Sequence, residues 1–243
     1  MEALNERQHD ILAALVGFHI QTGEPVSSDD LRRRYRFHFS PATIRNELLR
    51  LDEAGYLEQP HTSAGRVPTD KGYRWYVNQL ESRRVLHPGS AGGENKRRQL
   101  MESLETCDDP EEFFRRVAGT LSDMVHVMTV SGSLEDTGEP FYKSGFGNVL
   151  SAPELMDLHS RHSFGTLVDS IDRVIRQVSR EVESTEAHVF IGDENPVREA
   201  RDYSMLIQKI EMNGIAGVIA LIGPKRMRYE RGLALLRALE DIA

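Results

Sequence analysis

SPATIRNELLRLDEAGYLEQPHTSAGRVPTDKGYRWY, residues 40–76, changes character twice along its length. It opens as an amphipathic helix. Ser40 stands where a cap belongs, and Pro41 takes the first helical position, where a missing N–H costs nothing. Ile44, Leu48 and Leu51 recur at three- and four-residue spacing and define an inner stripe. Thr43, Arg45, Asn46, Glu47 and Arg50 are expected largely outside it. Gly55 ends the helix. Residues 56–58 have strand character, 60–65 read as a polar loop, and 66–68 as a short returning strand. Thr69 then caps a helix whose Tyr73, Trp75 and Tyr76 can close over a small core.

Upstream, Leu4, Ile11, Leu12, Leu15, Phe18 and His19 mark one buried face of a helix over 5–22, stopped by Gly23 and Pro25. Ser27 caps a second, short helix ending near residue 36, with Asp30 placed to reach back to the first-turn amides. Three helices followed by a two-stranded ribbon is the order of a winged helix-turn-helix, in which the third helix enters the major groove of DNA. There Arg45 can fork onto guanine and Asn46 can pair with adenine. Ser40 and Thr43 can reach phosphate or a thymine methyl. Arg50 extends the polar face, and the first turns at Ser27 and Ser40 suit phosphate. His61, Thr62, Ser63 and Arg66 would supply the wing. The run Arg32-Arg33-Arg34 is less specific, since such runs are often solvated faces.

The chain of 243 residues carries a net charge of −8, which argues mildly against nucleic acid. The distribution matters more. Residues 1–80 hold 10 Lys+Arg against 11 Asp+Glu, whereas 81–243 hold 20 against 27. Within the first part, residues 27–50 set six arginines against three acids. A 39% apolar fraction fits a folded protein, and no apolar run approaches the roughly 18 residues that span a bilayer. The charged N-terminus lacks a signal-type core, so a cytoplasmic location is expected. Cys107 is the sole cysteine, which excludes an internal disulfide.

Residues 87–95, HPGSAGGEN, read as a linker. Helical patterns follow near 96–105 and 110–125. Residues 124–130 suit a helix end or a strand, and 132–147 look loop-like. Ser151, with Glu154 three residues on, should start another helix, and 166–182 a longer one. Strands are expected at 187–191, 204–211 and 214–222, the last two joined by an Asn213-Gly214 hairpin, with a helix at 229–242. The expected fold class is therefore α+β: a winged helix-turn-helix over 1–82, a linker over 83–95, and a regulatory domain with an antiparallel sheet over 96–243.

Other signals favour bland readings. His159 and His162 have metal-compatible spacing but no third ligand nearby in sequence, so packing or surface roles are expected. Asp193-Glu194 suits a turn better than acid–base catalysis. Gly145-Phe146-Gly147 lacks the rest of a phosphate loop. Lys225-Arg226 suits a solvated strand end better than an anion site. No enzyme activity, metal or cofactor is expected.

Three pieces resemble the heat-inducible transcription repressors called HrcA: residues 22–26 (TGEPV), 42–47 (ATIRNE) and 55–74 (GYLEQPHTSAGRVPTDKGYR). Weaker matches lie at 144–150, 191–195 and 222–227. The resemblance implies a dimeric repressor of chaperone operons that binds an inverted-repeat operator called CIRCE. It also implies a GAF-like second domain carrying an inserted dimerisation domain, with activity supported by the chaperonin GroEL. The chain is shorter than the family pattern, the shortfall falling between Val130 and Lys143. Lys225 and Arg228 stand where the pattern has Thr and Asp. The expected function is a DNA-binding repressor acting as a homodimer on a double-stranded operator. The alternative is a regulator whose second domain senses a small molecule.

Overall fold

The computed structural model describes residues 4–35, 37–61, 64–82, 91–104, 107–135 and 140–240. The chain forms two compact units, Met1–Arg83 and Arg84–Ala243. In the first, helix α1 (Glu6–Thr22) starts at a reciprocal cap between Asn5 and Gln8 and stops at Gly23, whose φ of 73° is left-handed. Helix α2 (Ser28–Arg34) starts at Ser27, with Asp30 completing the same kind of box. Helix α3 (Pro41–Glu53) starts at Ser40. Strands β1 (Leu57–Glu58) and β2 (Val67–Pro68) pair antiparallel, Leu57 opposite Pro68, and helix α4 (Asp70–Ser82) follows. Ile11, Leu12 and Leu15 of α1 meet Leu31, Ile44, Leu51, Leu57 and Val77 in a core withdrawn from water.

The ribbon is fastened where its loop enters β2. Val26 and Arg66 exchange backbone hydrogen bonds of 2.9 and 2.8 Å. That approach leaves no room beside Gly65, where a Cβ would lie 2.4 Å from the Val26 carbonyl carbon.

The second unit holds helices α5 (Ala91–Leu104) and α6 (Pro110–Val125), strands β3 (Met128–Ser133) and β4 (Tyr142–Ser144), and helices α7 (Phe146–Leu150), α8 (Leu158–Asp169) and α9 (Ile171–Glu181). Strands β5 (His188–Ile191), β6 (Tyr203–Met212) and β7 (Ile215–Pro224) and helix α10 (Tyr229–Leu239) complete it. The sheet runs β4-β3-β7-β6-β5, antiparallel throughout, so the architecture is α+β. One face packs Val130, Met205, Ile207, Val218 and Ala220 against Phe164, Leu167, Val174 and Val178 of α8 and α9. On the other, Ser131 donates to the Phe114 carbonyl of α6, and the Ser204 hydroxyl meets the Tyr229 hydroxyl of α10 at 2.7 Å. Burial on both faces explains why β7 is apolar nearly end to end, and why β6 buries even Ser204 and Gln208. Asn213 and Gly214 turn between them with φ of 51° and 82°, as the sequence indicates.

Several expectations are corrected. Residues 91–95, read as linker, lie in α5; residues 83–90 fall outside the described residues. The stretch 132–147 is not a plain loop, because it contains β4, paired with Ser131 opposite Tyr142. Ser151 starts no helix: its hydroxyl donates back to the Gly147 carbonyl at 2.7 Å and closes α7. Only a three-residue turn follows, and Asp157 caps α8. The expected helix over 166–182 is broken at Ser170 into α8 and α9.

Gly65→Ala should destabilise the first unit by about 1–3 kcal/mol, because backbone must move to admit the methyl group. Gly119→Ala in α6, where a Cβ meets nothing within 4 Å, should instead stabilise by about 0.5–1 kcal/mol. Calorimetric melting of the two variants checks both signs.

Candidate nucleic-acid interface

Helix α3 turns Ile44, Leu48 and Leu51 inward, as their spacing requires. Glu47, expected outside, is buried with them at 3% exposure. It lies three residues after Ile44 and four before Leu51, on the stripe itself, and its charge concealed that position. Its carboxylate is compensated by directional donors. Gln8 Nε2 of α1 donates at 3.1 Å, and Arg7 Nη1 and Arg50 Nη1 each at 3.4 Å.

Arg45 and Asn46, the two residues before it, are exposed. Among the described residues no hydrogen bond or ion pair engages either side chain. Thr43 is half-buried, and its hydroxyl lies 2.8 Å from that of Ser40, which also accepts from the Thr43 amide at 3.1 Å. Ser27 is similarly engaged, with its hydroxyl 2.5 Å from Asp30 Oδ2. That bond, followed by the one from the Ser27 amide, holds the Asp30 carboxyl below its usual range. Arg50 is exposed at its tip yet tied back to Glu47.

Across from α3, His61 is exposed and Gln59 Nε2 reaches the Ala64 carbonyl at 2.9 Å, spanning the ribbon's end. Thr62 and Ser63 lie outside the described residues. Arg66 stands where the loop enters β2, one residue before Val67. Its side chain is 15% exposed and its Nε stands 2.5 Å from Asp52 Oδ2, a charge contact without hydrogen-bond alignment. Arg66 thereby ties the ribbon to the end of α3. Lys71 donates to the Ala54 carbonyl at 2.6 Å, and Thr69 to the Gly55 carbonyl at 2.7 Å, closing the same helix end. The arginine run of α2 is also engaged: Arg33 pairs with Asp30, while Arg34 donates to Gln21 and lies over the Phe18 ring.

The structure therefore brings Arg45, Asn46, Arg50, Ser40 and Thr43 together on α3 and its cap, with His61 on the ribbon. Sequence reasoning missed Glu47, Asp52, Gln59 and Lys71 as the residues that hold this surface in place. His159 and His162 are both exposed. Among the described residues no group of three metal-ligating side chains occurs, and no helix is long and apolar enough to cross a membrane.

Comparison with known proteins gives one family profile, two relatives and one solved structure. The family profile described as "HrcA protein C terminal domain" matches residues 94–232. The heat-inducible transcription repressor HrcA of Moorella thermoacetica is 27% identical over 332 residues, covering 98% of this chain and 96% of that protein. The namesake from Beutenbergia cavernae is 40% identical over 126 residues, 52% of this chain and 34% of its own. A crystal structure titled as a hypothetical protein superimposes with a TM-score of 0.77 at 19% identity, covering 98% of both chains, which shows a shared fold.

Glu47→Ala should lower the stability of the first unit by about 1–3 kcal/mol, because its hydrogen bonds join two helices. Arg45→Ala should change it by no more than about 0.5 kcal/mol, since nothing in the fold depends on that side chain. Denaturant titration separates the two.

Proposed function

The chain belongs to the HrcA family, and from that premise we propose that it is a non-enzymatic transcription repressor whose first unit is a winged helix-turn-helix. The observation that carries this reading is the pair Arg45 and Asn46, exposed and unengaged on a helix whose opposite side is fastened by Ile44, Glu47, Leu48 and Leu51. Those two side chain types read guanine and adenine in the major groove. Folding has already ordered the helix that presents them.

The remaining contacts divide by what the fold leaves available. Ser40 and Thr43 sit at the start of α3, where short hydroxyls and first-turn amides meet a phosphate. Arg50 has to exchange its bond to Glu47 for one to the backbone of the duplex. His61, with Thr62 and Ser63, serves the wing. Arg66 positions the wing through Asp52 and is not counted among the contacts.

One such unit reads only a few base pairs, so useful selectivity calls for a homodimer on an inverted repeat. Its operator is then of the CIRCE kind, upstream of chaperone genes, and release under heat stress follows loss of support from the chaperonin GroEL. The names of the relatives support repression and heat inducibility; the operator and the chaperonin rest on family resemblance.

Selection of bound duplexes from a random pool tests the reading, and an inverted repeat is the expected product. Retention of no duplex at low salt would exclude it. Arg45→Ala should weaken binding to the selected duplex by about 1–3 kcal/mol while leaving a scrambled duplex nearly unaffected. An unchanged ratio between the two would remove the base-reading role. Affinity for both duplexes should fall steeply as salt rises, because bound cations release condensed counterions.

A further inference from the structure

The second unit contains a cationic cluster that neither the sheet nor the DNA reading uses. Lys96 of α5 and Arg231 of α10 donate to the same main-chain oxygen, that of Met124 in the last turn of α6, from 3.1 and 3.3 Å. This holds the two cationic nitrogens within about 6 Å of each other, where like charges repel. Arg228, exposed at the start of α10 three residues before Arg231, adds a third positive charge that acts on both. Burial, then Arg231 and Arg228, hold Lys96 below the ordinary lysine range. Burial, then Arg228, lowers Arg231, against a smaller opposing effect from Glu230.

Capping the end of α6 accounts for only part of this arrangement. A carbonyl oxygen has two lone pairs, which Lys96 and Arg231 fill. Lysine carries three N–H donors and arginine five, so most donors of these two remain, and Arg228 retains all of its own. Among the described residues no carboxylate lies within ion-pair distance of any of the three. The first turn of α10 beside them has no side-chain cap and adds polarity of the same sign. Lys96 and Arg231, both half-buried, and the exposed Arg228 are like charges that oppose one another unless something neutralises them.

We infer that Lys96, Arg228 and Arg231 form a binding site for a phosphoryl-type oxyanion. Such a group is acceptor-only, carries up to two negative charges, and has several oxygens to share among donors arriving from different elements. A planar carboxylate would leave more of the charge and of the donors unmatched. The site lies wholly within the second unit and does not depend on the DNA reading. It gives that unit a ligand class, either free phosphate or the phosphate of a nucleotide.

The test is the thermal midpoint of the full chain as inorganic phosphate is titrated, with sodium chloride at matched ionic strength as the reference. A saturable rise in phosphate that chloride does not reproduce is expected. Arg228→Ala removes an exposed side chain with no role in packing, and it should weaken the apparent phosphate affinity about tenfold, with Lys96→Met acting in the same direction. An equal response to phosphate and chloride in the unmodified chain, or phosphate affinity unchanged in Arg228→Ala, would overturn the assignment. Adenosine diphosphate serves as a second arm. Tighter binding than phosphate identifies a nucleotide-borne group and equal or weaker binding a free one, and either supports the site.

Discussion

The direction in which α3 faces is set by an apolar stripe with one carboxylate buried in it. Ile44, Leu48 and Leu51 turn one side of the helix inward. Glu47 adds directional bonds to that side. Its donors Arg7 and Gln8 belong to α1, so the rotation of α3 is referenced to the first helix of the chain. Successive helical residues are about 100° apart, so an inward Glu47 carries Asn46 and Arg45 progressively away from the core. Leaving the carboxylate buried would be costly without these partners. With them, the interaction that stabilises the helix pair also fixes where the polar side chains project.

The ribbon follows the same logic. Gly65 lets the backbone lie against Val26, Arg66 reaches Asp52 near the end of α3, and Lys71 and Thr69 bind the carbonyls that α3 and its turn leave open. Much of the stretch 55–74 thus serves to attach a two-stranded ribbon to a helix end. A residue's presence in a specific-looking motif is therefore weak reason to assign it a contact with a partner. Arg66 shows this most plainly, since its charge invites a phosphate and its burial supplies an acid.

What could be read from the sequence was whatever is decided locally. Caps at Ser27 and Ser40 act within one turn, and the Asn213-Gly214 hairpin needs only two positive φ values, so these elements fall where their residues place them. What escaped was decided by neighbours distant in sequence. Glu47 reads as exposed unless Arg7 and Gln8 are known to meet it. Strand β4 is only Tyr142-Lys143-Ser144, too short for a period, and exists because β3 offers an edge. The break at Ser170 has no glycine or proline to announce it. Ser151 resembled a cap by spacing, yet its hydroxyl turns back to the preceding helix.

The antiparallel sheet also explains how a chain of 243 residues can align over 332 positions with a relative and keep a five-stranded sheet in its second unit. Strand β3 pairs along its whole length with β7, from Met128 opposite Ile222 to Ser133 opposite Gly217, and β7 pairs with β6 over ten residues. None of that pairing depends on how β3 passes to β4. A segment placed between Ser133 and Tyr142 can therefore differ greatly in length while the central three strands keep their register. Of the elements that carry the cationic cluster, α6 and α10 pack on the sheet through Phe114 and Tyr229, and α5 packs on those two helices. Length variation at β3–β4 and ligand recognition at the end of α6 are thus physically separable, and a shortened second unit can still sense an anion.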